Sequence, residues 1–128
     1  MSRKNTKLLI TGAGGPAAQS AWKGLQGTNA EIYMADMSPA SSGLFFVPAT
    51  HRLIVPPGRS SNFIPHIIQI CQERDIGHVL LTVDVEMLNY AQQIDTAAAS
   101  KIQFLMPPAS ALLNTLDKSR LFAATQDI

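Results

Sequence analysis

Three groups of residues in this chain have types and spacings that suit chemistry. The first is Gly12-Ala13-Gly14-Gly15, which follows the apolar run Leu8-Leu9-Ile10 and precedes Pro16-Ala17-Ala18. A strand, a glycine turn and a helix start in that order can bring backbone N–H groups and a helix N-terminus against a negatively charged ligand. The same residues also serve a plain tight turn. The second is Asp36, which closes a later apolar run. Its carboxylate suits the hydroxyls of a ribose, or an Asx-type bond to the backbone of the Ser-Pro turn that follows. The third is Thr82-Val83-Asp84-Val85-Glu86, where two carboxylates fall within the first turn of an expected helix. Either could orient a substrate amine or hydroxyl. Equally, Asp84 could act as N-cap and Glu86 could complement the helix dipole.

Other chemistries find no support. His51, His66 and His78 lie on separate elements without metal-ligand spacing, so no metal site is expected. No Gly-Lys-Ser/Thr follows the glycine loop, which excludes a P-loop nucleotide hydrolase. Cys71 is the single cysteine, so no intramolecular disulfide can form. Its neighbours Ile68, Ile70 and Ile76 mark it as a buried helical thiol. Trp22 and the methionines read as packing residues.

The elements that must position these groups alternate in type. Strands are expected at Lys7 to Thr11, Glu31 to Ala35, His51 to Val55, His78 to Thr82 and Gln103 to Met106. A helix runs from Pro16 to about Leu25 with Ala17, Ala21 and Leu25 facing inward. Pro16 suits a first helical turn because its missing N–H has no helical partner there anyway. Gly43 to Phe46 reads as a turn of helix inside a long loop. Ser61 or Asn62 caps a helix from Phe63 to Arg74, with Ile64, Ile67, Ile68 and Cys71 as its apolar stripe. Asp84 opens a helix through Tyr90 and Ile94 and on towards Ala99. Pro107-Pro108 turns the chain into Ala109 to Thr115, and Asp117 starts one more helix. Short apolar strands separated by helices specify an α/β fold, Rossmann-like and three-layered (α/β/α), with a parallel sheet of about five strands.

The bulk numbers agree. A chain of 128 residues, 46% apolar and 15% charged, makes one well-cored domain. The net charge is +1 and no basic run exceeds two residues, so no nucleic-acid partner is expected. The polar N-terminus lacks a signal-peptide core and no segment is long and apolar enough to span a membrane. A cytoplasmic location is expected.

Taken in order, the motifs resemble the N-terminal (pre-ATP-grasp) domain of ATP-grasp enzymes, notably relatives of the carbamoyl-phosphate synthase large chain. The residues that carry the resemblance are Leu9-Ile10-Thr11-Gly12-Ala13-Gly14-Gly15-Pro16, Ala35-Asp36, Leu53-Ile54-Val55-Pro56-Pro57 and Leu81-Thr82-Val83-Asp84-Val85-Glu86. Leu105-Met106-Pro107-Pro108 and Leu116-Asp117-Lys118 complete it. The resemblance implies a Rossmann-like domain over residues 1–116 and the start of an ATP-grasp region over 117–128. It implies a parent ligase in which ATP phosphorylates a carboxylate and an amine or similar nucleophile attacks, with Mg2+ assisting. The ATP and Mg2+ sites would lie in later subdomains, leaving this stretch inactive alone and holding no cofactor. Its contribution would be a wall of the substrate cleft, with Gly14, Gly15, Asp84 and Glu86 meeting a small-molecule substrate. Its partner would be the rest of the ATP-grasp polypeptide, with a homo-oligomer compatible.

Two other readings compete. Gly12-Ala13-Gly14-Gly15-Pro16-Ala17 fits G-x-G-x-x-A, which makes an NAD(P)-binding module with Gly12 and Asp36 as cofactor residues. The Tyr-x-x-x-Lys pair of short-chain dehydrogenases is absent, since Ile94 follows Tyr90 at that spacing. A stand-alone interaction domain would require the natural protein to stop at Ile128, within an expected helix.

Overall fold

The computed structural model describes residues 6–106. The expected helices beyond Pro108 and the boundary at residue 117 lie outside the described residues. Strands β1 (Lys7–Ile10), β2 (Glu31–Asp36), β3 (Arg52–Ile54), β4 (His78–Leu80) and β5 (Gln103–Leu105) form one sheet in the order β3-β2-β1-β4-β5. Every pairing is parallel. Helices α1 (Pro16–Gly24), α2 (Phe63–Arg74), α3 (Asp84–Gln92) and α4 (Ile94–Ala99) connect the strands. The fold is α/β and Rossmann-like, as the alternation of elements requires.

The period of two along each strand divides the apolar residues between two cores. Leu8 and Ile10 of β1, with Ile32 and Met34 of β2, pack with Ala18 on the α1 side. Leu9, Tyr33, Ala35, Leu53 and Val79 face the other way and pack against Phe63, Ile64, Ile67 and Cys71 of α2. Leu9 lies between Tyr33 on one neighbour and Val79 on the other. Both faces are therefore covered, which accounts for the almost continuously apolar strands.

Local details refine the sequence reading. In α1 the buried residue is Ala18, with Ala21, Trp22 and Leu25 against the core. Ala17 is only half-buried, so the inward face of the helix lies one residue later than expected. Helix α2 has the expected bounds, but Asn62 makes no side-chain cap; Ser60 Oγ instead accepts the Asn62 N–H at 3.2 Å. Asp75 ends α2 at φ 60, a left-handed conformation that Asp tolerates better than most residues. The helix expected from Asp84 towards Ala99 is interrupted at Gln93, whose backbone sits at φ −118, ψ 33. That bend lets Ala97 enter the core while Ile94 stays exposed.

The loop after β2 carries a 3-10 turn at Ser42–Phe46. It folds back over the glycine loop, buries Leu44 and Val47 in the α1-side core, and rests Phe46 on Trp22 with ring centroids 4.6 Å apart. A second 3-10 turn, Ala49–His51, precedes β3, so β3 starts one residue later than expected. His51 Nε2 lies 3.1 Å from Glu31 Oε2, and Tyr33 Oη donates to the same oxygen at 2.9 Å. Those two bonds hold the Glu31 carboxyl below its usual range, Tyr33 first. Among the described residues no helix is long and apolar enough to cross a membrane.

Candidate functional site

Strand order reverses between β1 and β4: the chain builds outward to β3 on one side of β1, then crosses back to lay β4 on the other. In such sheets the crevice beyond the carboxyl ends of the two diverging strands is where ligands bind. Here that crevice is walled by Thr11 and the glycine loop after β1, and by residues 81–86 after β4. All of the singled-out positions (Gly12, Gly14, Gly15, Asp36, Asp84 and Glu86) lie along this edge.

Glu86 is the chemically unusual member. It sits in the first turn of α3, is only 5% exposed, and turns its carboxyl inward. Thr11 Oγ1 donates to Glu86 Oε1 at 2.5 Å, and the Val83 N–H donates to the same oxygen at 3.3 Å. Thr11, fully buried, is itself fixed. Its Oγ1 accepts the Thr82 N–H at 3.3 Å and lies 3.3 Å from Leu80 O, while Thr82 Oγ1 donates to Thr11 O at 2.8 Å. One carboxyl thus joins the ends of β1 and β4 to the start of α3. Burial pushes this carboxyl up to about 7, against the opposing pull of the Thr11, Val83 and Thr82 bonds. The negative charge of Asp36 pushes the same way as burial. A carboxyl balanced near neutrality can hold or release a proton at ordinary pH.

The other acidic residue of this turn is placed differently from its expected cap position. The N-cap is Val83, extended at φ −112, ψ 138, and Asp84 is the first helical residue. Glu86 reaches back to accept the Val83 N–H, the half of a capping box that a glutamate at the third helical position supplies. Asp84 is half-buried at the rim.

The glycine loop is held from within. Ala13 N–H donates to Ala35 O at 3.0 Å, and Gly15 N–H to Gly12 O at 2.9 Å. Gly14 N–H donates to Asp36 Oδ2 at 2.8 Å. Asp36 Oδ1 accepts the Met37 N–H at 2.6 Å and the Ser38 N–H at 3.4 Å, which is the Asx-type arrangement. The carboxylate of Asp36 therefore occupies the loop as an anion supplied by the chain itself. Three N–H groups that a phosphate could use are spent on protein acceptors. The loop also needs its glycines for space. Gly12 has φ +61, and an added Cβ there would stand 2.6 Å from both Thr82 Oγ1 and Val83 Cγ2. At Gly14 it would stand 2.8 Å from Ser41 Oγ and 3.0 Å from Asp36 Oδ2. Ser41 Oγ is buried without a hydrogen-bond partner.

Five positions escape the sequence reading. Thr11 and Thr82 stand there inside motifs and at strand ends without a role of their own, although threonines at the ends of neighbouring parallel strands are placed to bond each other. Asn89 lies three residues after Glu86 on the same helical face, a spacing that could have drawn attention to it. Ser41 and Gly58 give no signal. Among the described residues no three His, Cys, Asp or Glu side chains could hold a metal ion.

The family described as PylC-like, N-terminal domain matches residues 8–105, the span that holds every wall of this crevice. No curated protein matches the chain. Among solved structures, yeast methylglyoxal/isovaleraldehyde reductase Gre2 complexed with NADPH is similar at TM-score 0.59 and 17% identity, over 79% of this chain and 37% of that one. The Helicobacter pylori ADP-L-glycero-D-manno-heptose-6-epimerase is similar at TM-score 0.52 and 14% identity, over 80% of this chain and 38% of that one. At such identities the likeness is one of fold. This chain spans less than two fifths of the length of either.

Proposed function

This chain belongs to the PylC-like N-terminal domain family, a pre-ATP-grasp-type domain of ATP-grasp enzymes, and from that premise we propose that it forms the substrate-cleft wall of an ATP-grasp ligase. The parent enzyme would couple ATP cleavage, with Mg2+, to joining a carboxylate substrate to an amine or thiol. The observation that carries this reading is the buried Glu86 carboxyl, tied to Thr11 at the crevice between β1 and β4. In it, Gly14 and Gly15 form the floor on which the non-nucleotide substrate rests, and Asp84 and Glu86 meet its polar groups.

Nucleotide phosphates fit this crevice poorly. The loop N–H groups that would hold them are spent on Ala35, Gly12 and Asp36, and Asp36 sets a negative charge where theirs would come. In this reading ATP and Mg2+ bind to the subdomains that follow a pre-ATP-grasp domain. The same two facts weigh against the NAD(P) alternative, in which Asp36 would have to leave Gly14 to reach a ribose.

The test uses the longer ligase that carries this domain, with ADP release as the readout. Glu86→Gln and Gly14→Val should raise KM for the non-nucleotide substrate at least tenfold and leave KM for ATP unchanged. An altered KM for ATP with an unchanged substrate KM would overturn the reading. So would tight NADP binding to the domain itself in a calorimetric titration.

A further inference from the structure

The segment joining β3 to α2 crosses directly over Glu86. Gly58 lies so close that an added Cβ would stand 2.6 Å from Glu86 Cγ and 3.2 Å from Val85 Cγ2. Little else fastens this segment. Between Val55 and Phe63 no side chain is buried, and its own turn is closed by Ser60 N–H to Pro57 O at 2.9 Å. One residue of α3 ties it down. Asn89, 6% exposed, donates through Nδ2 to Gly58 O at 2.8 Å and to Ser60 O at 2.7 Å. Gln93 Nε2 in turn donates to Asn89 Oδ1 at 2.5 Å and fixes the amide. The segment is a strap, anchored to α3 through a single amide, that lies over the buried Glu86 side chain. Segments with few apolar contacts are the ones that open locally at low cost.

We propose that residues 56–62 form a strap that swings open when Glu86 gives its proton to solvent and closes when Glu86 takes one up. Neither ion pair among the described residues involves Glu86. Ionisation therefore leaves an unbalanced carboxylate beneath a lid, and burying an unpaired charge is costly. Opening the strap admits water to the carboxylate and exposes hardly any apolar surface. In the closed, protonated form the Glu86 carboxyl and the Thr11 hydroxyl share the 2.5 Å contact, with Leu80 O at 3.3 Å as a further acceptor for Thr11. The charged residues on the neighbouring segments are Asp36 at the end of β2, Asp84 on α3 and the exposed Arg59 on the strap, of which Asp36 acts on Glu86 through its charge. Asp36 favours the protonated form. The strap would therefore answer to the protonation state of Glu86, whatever reaction the parent enzyme catalyses.

Amide hydrogen exchange of the whole chain, corrected for the intrinsic pH dependence of exchange, tests this. The carboxyl lies near 7 when closed, against an ordinary 4.5 when hydrated. The closed form is thus favoured in full below about 4.5 and loses ground as pH rises towards 7. Opening measured at the Asn89 side-chain amide protons, which bond Gly58 O and Ser60 O in the closed form, should rise roughly 70-fold between about pH 5 and pH 8 and level off above about pH 7. In Glu86→Gln the same amides should show no such rise, and an equal rise in that variant would overturn the proposal. Asn89→Ala provides an independent reading through the carboxyl carbon of Glu86 in NMR titration. Loosening the strap should bring the Glu86 midpoint down by at least one pH unit, and an unmoved midpoint would overturn the proposal as well.

Discussion

Gly43→Ala is the substitution for which the structure dictates the most definite outcome. Gly43 is buried where the loop after β2 crosses the glycine loop. An added Cβ would collide with the Ala13 carbonyl oxygen and stand 2.6 Å from the Ala13 carbonyl carbon and 3.2 Å from its Cα. All three atoms are backbone, and Ala13 is pinned to β2 by its N–H bond to Ala35 O at 3.0 Å. No rotamer change can relieve the clash, so the loop itself must lift by roughly an ångström or more. That movement pulls on Leu44 and Val47, which are 1% and 6% exposed. Complete exposure of either side chain costs about 1.5–3 kcal/mol. Withdrawing both part-way, with the strain of overpacking added, sets the expected loss at about 3 kcal/mol. Urea unfolding followed by fluorescence measures it, because Trp22 is the only tryptophan and Phe46 of the same loop lies on its ring. The variant should show a lower midpoint and altered native emission. Gly24→Ala serves as the control: nothing lies within 4 Å of its added methyl, and it should gain about 0.5–1 kcal/mol. A Gly43→Ala protein as stable as the parent, with unchanged Trp22 emission, would refute the packing argument.

Thr11→Val keeps the shape of the side chain but strips a bond from both Glu86 and the Thr82 N–H, and should cost about 2 kcal/mol in denaturant unfolding. Thr11→Ser, which retains the hydroxyl, should cost less, and the reverse order would contradict the assigned role. Burial pushes the Cys71 thiol up to about 12, so alkylation by iodoacetamide at about pH 8 should run about a thousandfold slower than for an exposed thiol. Unfolding in urea should restore the normal rate.

What the sequence makes legible follows from how far apart the deciding residues lie. Helix α2 is readable because Ile64, Ile67 and Cys71 state its phase within a dozen residues. The strands are readable because both faces are covered, so each is an apolar run bounded by Gly, Pro or Asp and too short for a helix. The phase of α1 is less legible: small residues at 17, 18 and 21 fit two faces, and only packing on the sheet selects Ala18. The carboxyl-edge location of Asp36, Asp84 and Glu86 follows from their places after apolar runs. Their environments do not. Asp36 meets Gly14 across 22 residues, and Glu86 meets Thr11 across 75. No local pattern reveals that a helix's first-turn glutamate faces inward. Local pattern is equally silent on Asn89 and the strap, whose bonds span 29 and 31 residues and depend on how α3 lies against the loop before α2.

The strand order has a consequence for how the molecule comes into being. Of the described strands β1 is the first to be synthesised, yet it occupies the middle of the sheet, and its partner β4 follows only after β2, β3 and helices α1 and α2 have been laid down. Until β4 arrives, one flank of β1 is a bare row of hydrogen-bonding groups beside Leu9, and the half-sheet β3-β2-β1 is open to stray pairing with other chains. Closing so long a loop is slow. On a ribosome, the crevice is therefore completed late among the described elements: Thr11 waits for Glu86 until nearly the whole described chain has emerged. A growing chain halted before His78 would carry the glycine loop in full and still have no opposite wall to face it.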